Sequence, residues 1–521
     1  MVSDLRPARP LRTLLAQVAA WLDLPFDGAG DVADDEVVVT GVSLGSQRVQ
    51  AGDLYAALPG ARRHGAEFAA DAIDAGAVAV LTDPAGADLL GETSVPVLVH
   101  PTPRAVLGRL AARLYGDPGE ALTLIGVTGT QGKTTTTRLA EGGLHQAGVV
   151  AAVVGTVGTR IAGRDVATSL TTPEAPDLQG LFAVMREREV EVCAMEVSSH
   201  ALVLGRVDGT VFDVAVFLNL GRDHLDFHPT LEDYFQAKAS LFTPERARLG
   251  LVDVDDEHGR RLVEQARAGG LSVRTMAIDR DADWRATDVV SGPGGSTFTL
   301  RGPDGLVVEA RCPLAGRYNV ANTLAALAAC GEAGLDVAAV ARGIAEGPGV
   351  PGRLERVATD LDLTVVVDYA HKPDAVEAAL TTLRPLTRGR LLVVLGAGGD
   401  RDPGKRSLMG ELAARLADVL VVTDDNPRTE DPAAIRAAVA AGAAGVPDAE
   451  RAEIHDVGDR RAAIALALSL ASPGDVVVVA GKGHETGQEA HGVVTPFDDR
   501  VVVAEEAARL AAERVGENPR R

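Results

Sequence analysis

The sequence predicts an α/β protein of three domains: a small N-terminal one, a central one built on a parallel sheet, and a C-terminal one. Apolar, β-rich runs alternate with helical stretches along most of the chain. Its 521 residues exceed what a single core holds, at roughly 150 residues per domain. Two turn-forming clusters, Gly116-Asp117-Pro118-Gly119 and Gly347-Pro348-Gly349-Val350-Pro351-Gly352, divide it into 1–119, 120–350 and 351–521.

The first segment opens with Arg6, Arg9 and Arg12 ahead of an apolar stretch, the charge order of a signal peptide, but Gln17 and Asp23 interrupt it. Leu11, Leu14, Leu15, Val18, Ala19 and Leu22 instead fit one face of a helix. Short runs (VVVTGVSL, DLYAALPG, VAVLTD, VPVLVH) then alternate with helical sequence around Glu67 to Ala75, giving a small α/β domain. Gly45, Ser46 and Gln47 lie in a polar turn between two of these strands. A helix from Arg104 to Tyr115 closes the segment.

The central segment begins with LTLIGVTGTQGKTTTT, Leu122 to Thr137, where a β-rich run breaks into a glycine-bearing loop and then a helix. This is a phosphate-binding loop: Gly129 and Gly132 allow a tight turn, backbone N–H groups face an anion, Lys133 adds charge and Thr134 offers a hydroxyl to Mg²⁺. Val127 stands where the longer form of the motif has its first glycine, so the match is to a shorter G-T-x-G-K-T form. The expected ligand is a nucleoside triphosphate, and the expected domain a P-loop ATPase-like parallel sheet. The strands VVAAVVGTV, VEVCAMEVS, DVAVFLNL and LGLVDVDD complete it, with polar clusters where they stop. Thr171-Thr172-Pro173 suits either an anion or a helix start. Glu196 ends a strand and is placed to serve a hard cation. Gly221-Arg222-Asp223-His224-Leu225-Asp226-Phe227-His228 packs ionisable residues beside a second strand end. By pattern alone Lys238, on the helical stretch LEDYFQAKASLF, reads as a surface lysine. A β excursion over 284–312 and Gly316-Arg317-Tyr318-Asn319 lead into an alanine-rich helix.

The last segment repeats the alternation with LTVVVDYAH, RLLVVLGAGGDRD, DVLVVTDDNPR and DVVVVAGKGHE, predicting a doubly wound, Rossmann-like sheet. Its strand ends should gather Arg401, Asp425, Asn426, Arg428, Lys482, His484 and Glu485 on one rim. A full G-x-G-x-x-G opening a helix is missing, which argues against dinucleotide binding.

Composition narrows the partners. With 51 basic and 73 acidic side chains the net charge is −22 and no basic patch is visible, so no nucleic-acid partner is expected. No apolar run approaches the length of a membrane span. Cys193, Cys312 and Cys330 are widely spaced, lack a CxxC pair and read as core residues of a reducing, cytoplasmic compartment.

Ten motifs carry a resemblance. GVTGTQGKTTT, TTPEAPDL, MEVSSHALVLGRVDG, NLGRDHLDFHPTLEDYFQAKASLF, GRYNVANTLAA, VPGRLE, VVDYAHKPD, GAGGDRDPGKR, DDNPRTEDP and VAGKGHE occur in the order found in the Mur ligase family, which the chain resembles from roughly residue 40 to 500. The resemblance is strongest to members that extend UDP-MurNAc-L-Ala-D-Glu by a diamino acid. It implies phosphorylation of the D-glutamate γ-carboxylate by ATP, attack of an amino group on the acyl phosphate, and collapse of a tetrahedral intermediate to amide, ADP and phosphate. Such chemistry is mainly positioning and charge neutralisation.

Carried over by residue, the resemblance implies that Lys133, Glu196, His224 and Lys238 are catalytic. Gly129, Thr130, Gln131, Gly132, Lys133, Thr134 and Thr135 hold ATP, together with Asn319, Arg353 and Asp368. Mg²⁺ falls to Thr134, Glu196, His224 and Lys238, the last as a carbamate, against the surface reading from pattern. Ser46, Thr171, Thr172, Ser198 and Arg206 match positions for the UDP-MurNAc dipeptide, although Gly45-Ser46-Gln47 replaces the usual D-S-R and Leu204 stands where some members have glutamine. Arg401, Asp425, Asn426, Pro427, Arg428, Gly481 and Glu485 match diaminopimelate-binding positions. Members with DNPR resemble meso-diaminopimelate enzymes, and a guanidinium at Arg428 suits the distal carboxylate that lysine lacks. The alternatives are the same ligation with L-lysine and a nucleotide-binding regulator of this fold without catalysis. A monomer is expected.

Overall fold

The computed structural model describes residues 5–24, 37–60, 62–224, 226–292, 294–347 and 349–516. Leu225 of the acidic-histidine cluster and Pro348 of the second turn cluster lie outside the described residues. The chain forms two compact units. One comprises residues up to Ala286 with Leu300–Val308 and Asn322–Gly343; the other comprises Thr287–Thr299, Glu309–Ala321 and the chain from Ile344 onward.

In the first unit, the N-terminal strands Gly41–Ser43, Asp53–Ala57, Ala79–Thr82 and Val97–Val99 form a four-stranded parallel sheet in sequence order. Strand alternation sorts its side chains: Leu54, Ala56 and Leu81 pack with Leu107, Leu110 and Leu114 of the helix Pro103–Leu114, while Tyr55, Ala57 and Val80 pack with Ala66, Ala69 and Ala72. The expected N-terminal helix is shorter than its apolar pattern suggested. It spans Leu15–Trp21, and Thr13–Leu14 instead pair antiparallel with Val38–Val39. Leu15, Val18, Ala19 and Leu22 are buried, but Leu11 and Leu14 are exposed, because pairing to a strand takes the first turn away from the helix.

The rest of this unit is organised by a run of parallel strands. In spatial order they are Ala151–Val154, Val192–Glu196, Thr123–Thr128, Phe212–Phe217, Ala247–Asp253 and Ser272–Ala277. The glycine loop leaves the carboxyl end of Thr123–Thr128, which is flanked on both sides and carries the site at its tip.

The second unit holds a six-stranded sheet, in order Glu355–Val357, Thr364–Asp368, Val476–Ala480, Leu391–Leu395, Val419–Val422 and Glu453–Asp456; only the first pairing is antiparallel. Its apolar runs are continuous because both faces are covered. Val366, Val393, Leu395, Leu420 and Val478 pack on one side against Met409, Ala413 and Val439; Val365, Leu392, Val394, Val421 and Val479 pack on the other against Ile464, Leu468 and Val503.

All three cysteines are buried, as core residues should be, and burial pushes the thiols of Cys193 and Cys330 up to about 12. No helix among the described residues is long and apolar enough to cross a membrane.

Candidate active site

The loop between the strand Thr123–Thr128 and the helix Lys133–Gln146 turns on glycine. Gly132 takes φ 89°, and a Cβ there would stand 2.3 Å from Asn322 Oδ1. Asn219, at the end of the neighbouring strand, pins the loop: its carbonyl accepts from Thr130 N (3.0 Å) and its Oδ1 from Gln131 N (3.0 Å). The Lys133 ammonium lies over the loop, donating to the carbonyls of Gly129 (2.8 Å) and Thr130 (3.1 Å). Thr134 and Thr135 are buried in the first helical turn.

Glu196 ends its strand in register with Val127 and is buried. Its Oε1 accepts from the Thr134 hydroxyl (2.9 Å) and Thr156 N (2.8 Å), and its Oε2 from the Thr156 hydroxyl (3.1 Å). Gly155 makes room: a Cβ there would sit 2.3 Å from Glu196 Oε1. The Thr156 hydroxyl is 3.0 Å from that of Thr171, so the phosphate loop connects to the predicted nucleotide-sugar group. The Thr172 hydroxyl donates to the Glu196 carbonyl (2.8 Å) and accepts from Ser198 N (3.1 Å); it therefore braces a strand end and does not start a helix. Arg206 donates to the Thr172 carbonyl (3.3 Å) and pairs with Glu174 (2.7 Å), the residue that precedes the helix Ala175–Glu187. Asp177 in the first turn of that helix pairs with Arg48 of the short 3₁₀ turn Ser46–Arg48. Ser46 itself is half-buried at the start of this turn.

Lys238 is the clearest departure from the pattern reading. On the helix Leu231–Ala239 it is 1% exposed and shares an inward face with Tyr234 and Phe235. Its Nζ donates to the Gly129 carbonyl (2.9 Å), the same carbonyl that accepts from Lys133, and lies 4.5 Å from the Tyr234 ring centroid. Burial, with Lys133 beside it, holds its pKa well below the ordinary lysine value. The Tyr234 hydroxyl is 3.3 Å from that of Thr130, and its ring is 6.0 Å from His224. His224, at φ 53°, packs 4.9 Å from His200, which stacks on Phe227 at 4.0 Å. His228 is buried with Nε2 2.9 Å from Ser199 Oγ, and burial lowers the pKa of both His200 and His228. Lys133, Thr134, Glu196 and Lys238 thus converge on one loop, with His224 reaching it through Tyr234.

The donor set suits Mg²⁺. Among the described residues no three His, Cys, Asp or Glu side chains form a metal cage. A buried carboxylate and a hydroxyl at a phosphate loop are instead what an ion needs when it keeps waters and takes its other oxygens from phosphate.

In the second unit, Asn319 is buried and its Nδ2 donates to the Ala315 carbonyl (2.7 Å). The Asp368 carboxylate accepts from Leu354 N (2.7 Å) and Ala370 N (2.8 Å); burial raises its pKa against the opposing pull of Arg353. Arg353 stacks over Tyr369 at 4.7 Å.

The predicted acceptor residues gather where the strands Val419–Val422 and Val476–Ala480 end. Asn426 is held three ways: Oδ1 accepts from Lys482 Nζ (2.9 Å) and Glu489 N (3.0 Å), and Nδ2 donates to Glu485 Oε2 (2.8 Å). Lys482 is fully buried and also pairs with Glu485 (3.3 Å) and Asp425 (3.7 Å). Gly481 takes φ 116°, and a Cβ would lie 2.7 Å from Asp425 Oδ2. Arg428 donates from Nη1 to the Gly399 carbonyl (2.7 Å), and the Pro427 carbonyl oxygen lies against Gly399 where any Cβ would clash with it. His484 packs against Tyr369 at 5.1 Å. Arg401 stands apart from this group. Thr429 anchors the left-handed Asp400 (φ 53°), and the chain then carries Arg401 outward, exposed, with Nη1 3.4 Å from the Asp400 carbonyl.

Thr156, Asn219, Tyr234, Gln488, Glu489 and the buried pair Arg460–Asp499 escaped the sequence reading. The first five bond or pack against site residues and the pair bonds the carbonyls of Asp424 and Ala480 beside them, and only the GTV and KGHETGQE contexts hinted at turns there.

Three family descriptions match the chain: "Mur ligase family, catalytic domain" over residues 38–115, "Mur ligase middle domain" over 127–330, and "Mur ligase, glutamate ligase domain" over 352–483. A Streptomyces avermitilis protein named UDP-N-acetylmuramoyl-L-alanyl-D-glutamate--2,6-diaminopimelate ligase is 57% identical over 502 residues, covering 96% of this chain and 97% of that protein. A Corynebacterium glutamicum protein of the same name is 50% identical, covering 89% and 91%. A solved structure of a ligase of that name matches with a TM-score of 0.69 at 33% identity, covering 96% of this chain and 100% of the other. MurF from Thermotoga maritima, solved with ADP, shares the fold at a TM-score of 0.57 and 18% identity, covering 92% and 98%.

Proposed function

The chain belongs to the Mur ligase family, and from that premise we propose that it joins meso-2,6-diaminopimelate to the D-glutamate of UDP-MurNAc-L-Ala-D-Glu at the expense of ATP. The observation that carries the reaction class is the convergence of Lys133, Thr134, Glu196 and Lys238 on the loop Gly129–Gly132. Two anions, a triphosphate and a γ-carboxylate, must be brought in line, and this grouping supplies positive charge and fixed donors where they meet.

Lys133 turns from the loop carbonyls to the phosphates when ATP binds, while Gln131, Gly132 and Thr135 line the same turn. Thr134, Glu196, His224 and a modified Lys238 would hold Mg²⁺, which would supply neutralisation of the anionic charge that gathers when both substrates bind. The lowered pKa of Lys238 favours the neutral amine, which is the form that adds CO₂; loss of a proton then gives a carbamate, and a donor becomes an oxygen ligand. Asn319, Arg353 and Asp368 serve the nucleotide. Ser46, Thr171, Thr172, Ser198 and Arg206 hold the UDP-MurNAc dipeptide, Thr156 relaying the Glu196 carboxylate to Thr171.

Acceptor choice rests on Arg428, whose guanidinium matches the distal carboxylate of diaminopimelate, and on Glu485 and Asp425, which match its ammonium groups. Arg401 joins them only if its exposed side chain folds inward on binding. The domain division 1–119, 120–350 and 351–521 is supported by family matches that fall one within each. The substrates, a nucleotide sugar and ATP, fit a cytoplasmic chain, and the reading takes the chain as a monomer.

The acyl-phosphate step is tested with ¹⁸O in the D-glutamate γ-carboxylate. One label should appear in the released phosphate; phosphate free of label would refute the step.

A further inference from the structure

The loop Asp425–Arg428 is held by an element that contains none of the residues assigned to a ligand above. The strands Gly487–Ala490 and Val493–Pro496 form an antiparallel hairpin, turned at His491 (φ 51°) and Gly492 (φ 76°), both left-handed as a two-residue hairpin turn requires. One edge of this hairpin pairs with the acceptor loop as an added strand. Arg428 N donates to the Glu489 carbonyl (3.0 Å), His491 N donates to the Arg428 carbonyl (2.6 Å), and Arg428 bridges Ala490 in parallel register. Gln488 Nε2 donates to the Asp425 carbonyl (2.8 Å), and Glu489 N to Asn426 Oδ1 (3.0 Å). Arg428 is itself left-handed at φ 53°, a conformation a long side chain seldom adopts, so the hairpin holds it where it would not otherwise stay.

The side chains add a second grip. The Glu489 carboxylate pairs with Arg428 Nε at 3.4 Å, while Arg428 Nη1 donates to the Gly399 carbonyl at 2.7 Å. Two fixed points define the guanidinium plane and leave Nη2 as the donor side for an incoming carboxylate.

We propose that the hairpin Gly487–Pro496 is the positioning element for acceptor selection, with Glu489 setting the aim of Arg428. The inference rests on the acceptor reading above. Glu489 touches no reacting atom; it acts through Arg428. Preorganisation of this kind shows in acceptor affinity and discrimination, and leaves the phosphoryl step untouched.

The test is steady-state ligation by the full chain, varying meso-diaminopimelate, ATP and UDP-MurNAc-L-Ala-D-Glu in turn, alongside thermal unfolding. Glu489→Gln keeps the backbone pairing and removes the charge. It should raise the KM for meso-diaminopimelate about 3- to 5-fold, as for a partly exposed ion pair, with kcat, the other two KM values and the unfolding midpoint unchanged. Gln488→Ala should shift the same KM in the same direction. In an Arg428→Ala background, Glu489→Gln should have no further effect, since the partner through which it acts is gone. An unchanged KM in Glu489→Gln, an equal rise in the Arg428→Ala background, or a joint shift of all three KM values with the midpoint would overturn the inference while the ligase activity stood. A wild-type chain that fails to use meso-diaminopimelate would overturn the proposed function and this inference with it.

Discussion

The Thr134 hydroxyl donates to Glu196 Oε1 across 2.9 Å, joining the first turn of the phosphate-loop helix to the end of the adjacent strand. Glu196 also accepts two bonds from Thr156, so its carboxylate is fixed before any ligand arrives. Glu196→Gln preserves the volume and removes the charge. Ligation should fall by about 100- to 1000-fold in kcat, the range for losing one preorganised electrostatic partner. Activity within a few-fold of wild type would take Glu196 out of the reaction.

Lys238 shares the Gly129 carbonyl with Lys133 in a buried setting that favours its neutral form. Lys238→Ala should abolish measurable ligation, and a small carboxylic acid such as acetate should restore part of it by supplying the missing oxygen anion. Rescue measured against acetate concentration distinguishes a carbamate from a structural amine, because a lost packing contact would not respond to acetate.

Arg428→Ala should raise the KM for meso-diaminopimelate about 10- to 100-fold, the equivalent of losing charge-assisted hydrogen bonds to one carboxylate. The KM for ATP should stay within error, which separates acceptor binding from nucleotide binding.

Arg460 and Asp499 form a fully buried ion pair (2.7 Å), and the same guanidinium donates to the carbonyls of Ala480 (3.0 Å) and Asp424 (3.3 Å). It thereby ties together the two strand ends that carry Gly481 and Asp425. Asp499→Ala leaves the guanidinium buried and uncompensated and should destabilise the second unit by about 3–5 kcal/mol. Chemical denaturation followed by a probe in that unit measures the loss.

A pH dependence follows from Asp253, whose carboxyl is pushed up to about 7, chiefly by burial, with Asp255 and Asp256 adding repulsion. A raised folded-state pKa contributes stability that is complete below the unfolded value near 4 and is lost as pH rises through about 7. Asp253→Asn should therefore gain stability relative to wild type as pH goes from 4 to 8. Unfolding midpoints across that range check it; a difference that stays flat with pH would contradict the assigned shift.

The α/β architecture was legible because strands buried on both faces read as unbroken apolar runs, as in Val476–Ala480 and Leu391–Leu395. The phosphate loop was legible because its glycines and Lys133 are local in sequence. Lys238 was not, since its burial depends on a helix face set by Tyr234 and Phe235 against the sheet; only resemblance pointed to it. Leu11 and Leu14 misled because a helical pattern was captured by a strand pairing with Val38 and Val39. Glu489 and Arg460 act across 61 and 36 residues on Arg428 and Asp424, a separation that no local pattern encodes.

The most direct measurement is the mass of the product formed from ATP, Mg²⁺ and UDP-MurNAc-L-Ala-D-Glu when meso-diaminopimelate and L-lysine are supplied side by side. Diaminopimelate ligation predicts a single product heavier by one diaminopimelate residue, with stoichiometric ADP and phosphate. A lysine adduct would keep the ligase and overturn the role of Arg428, and no adduct with either would contradict the proposed function.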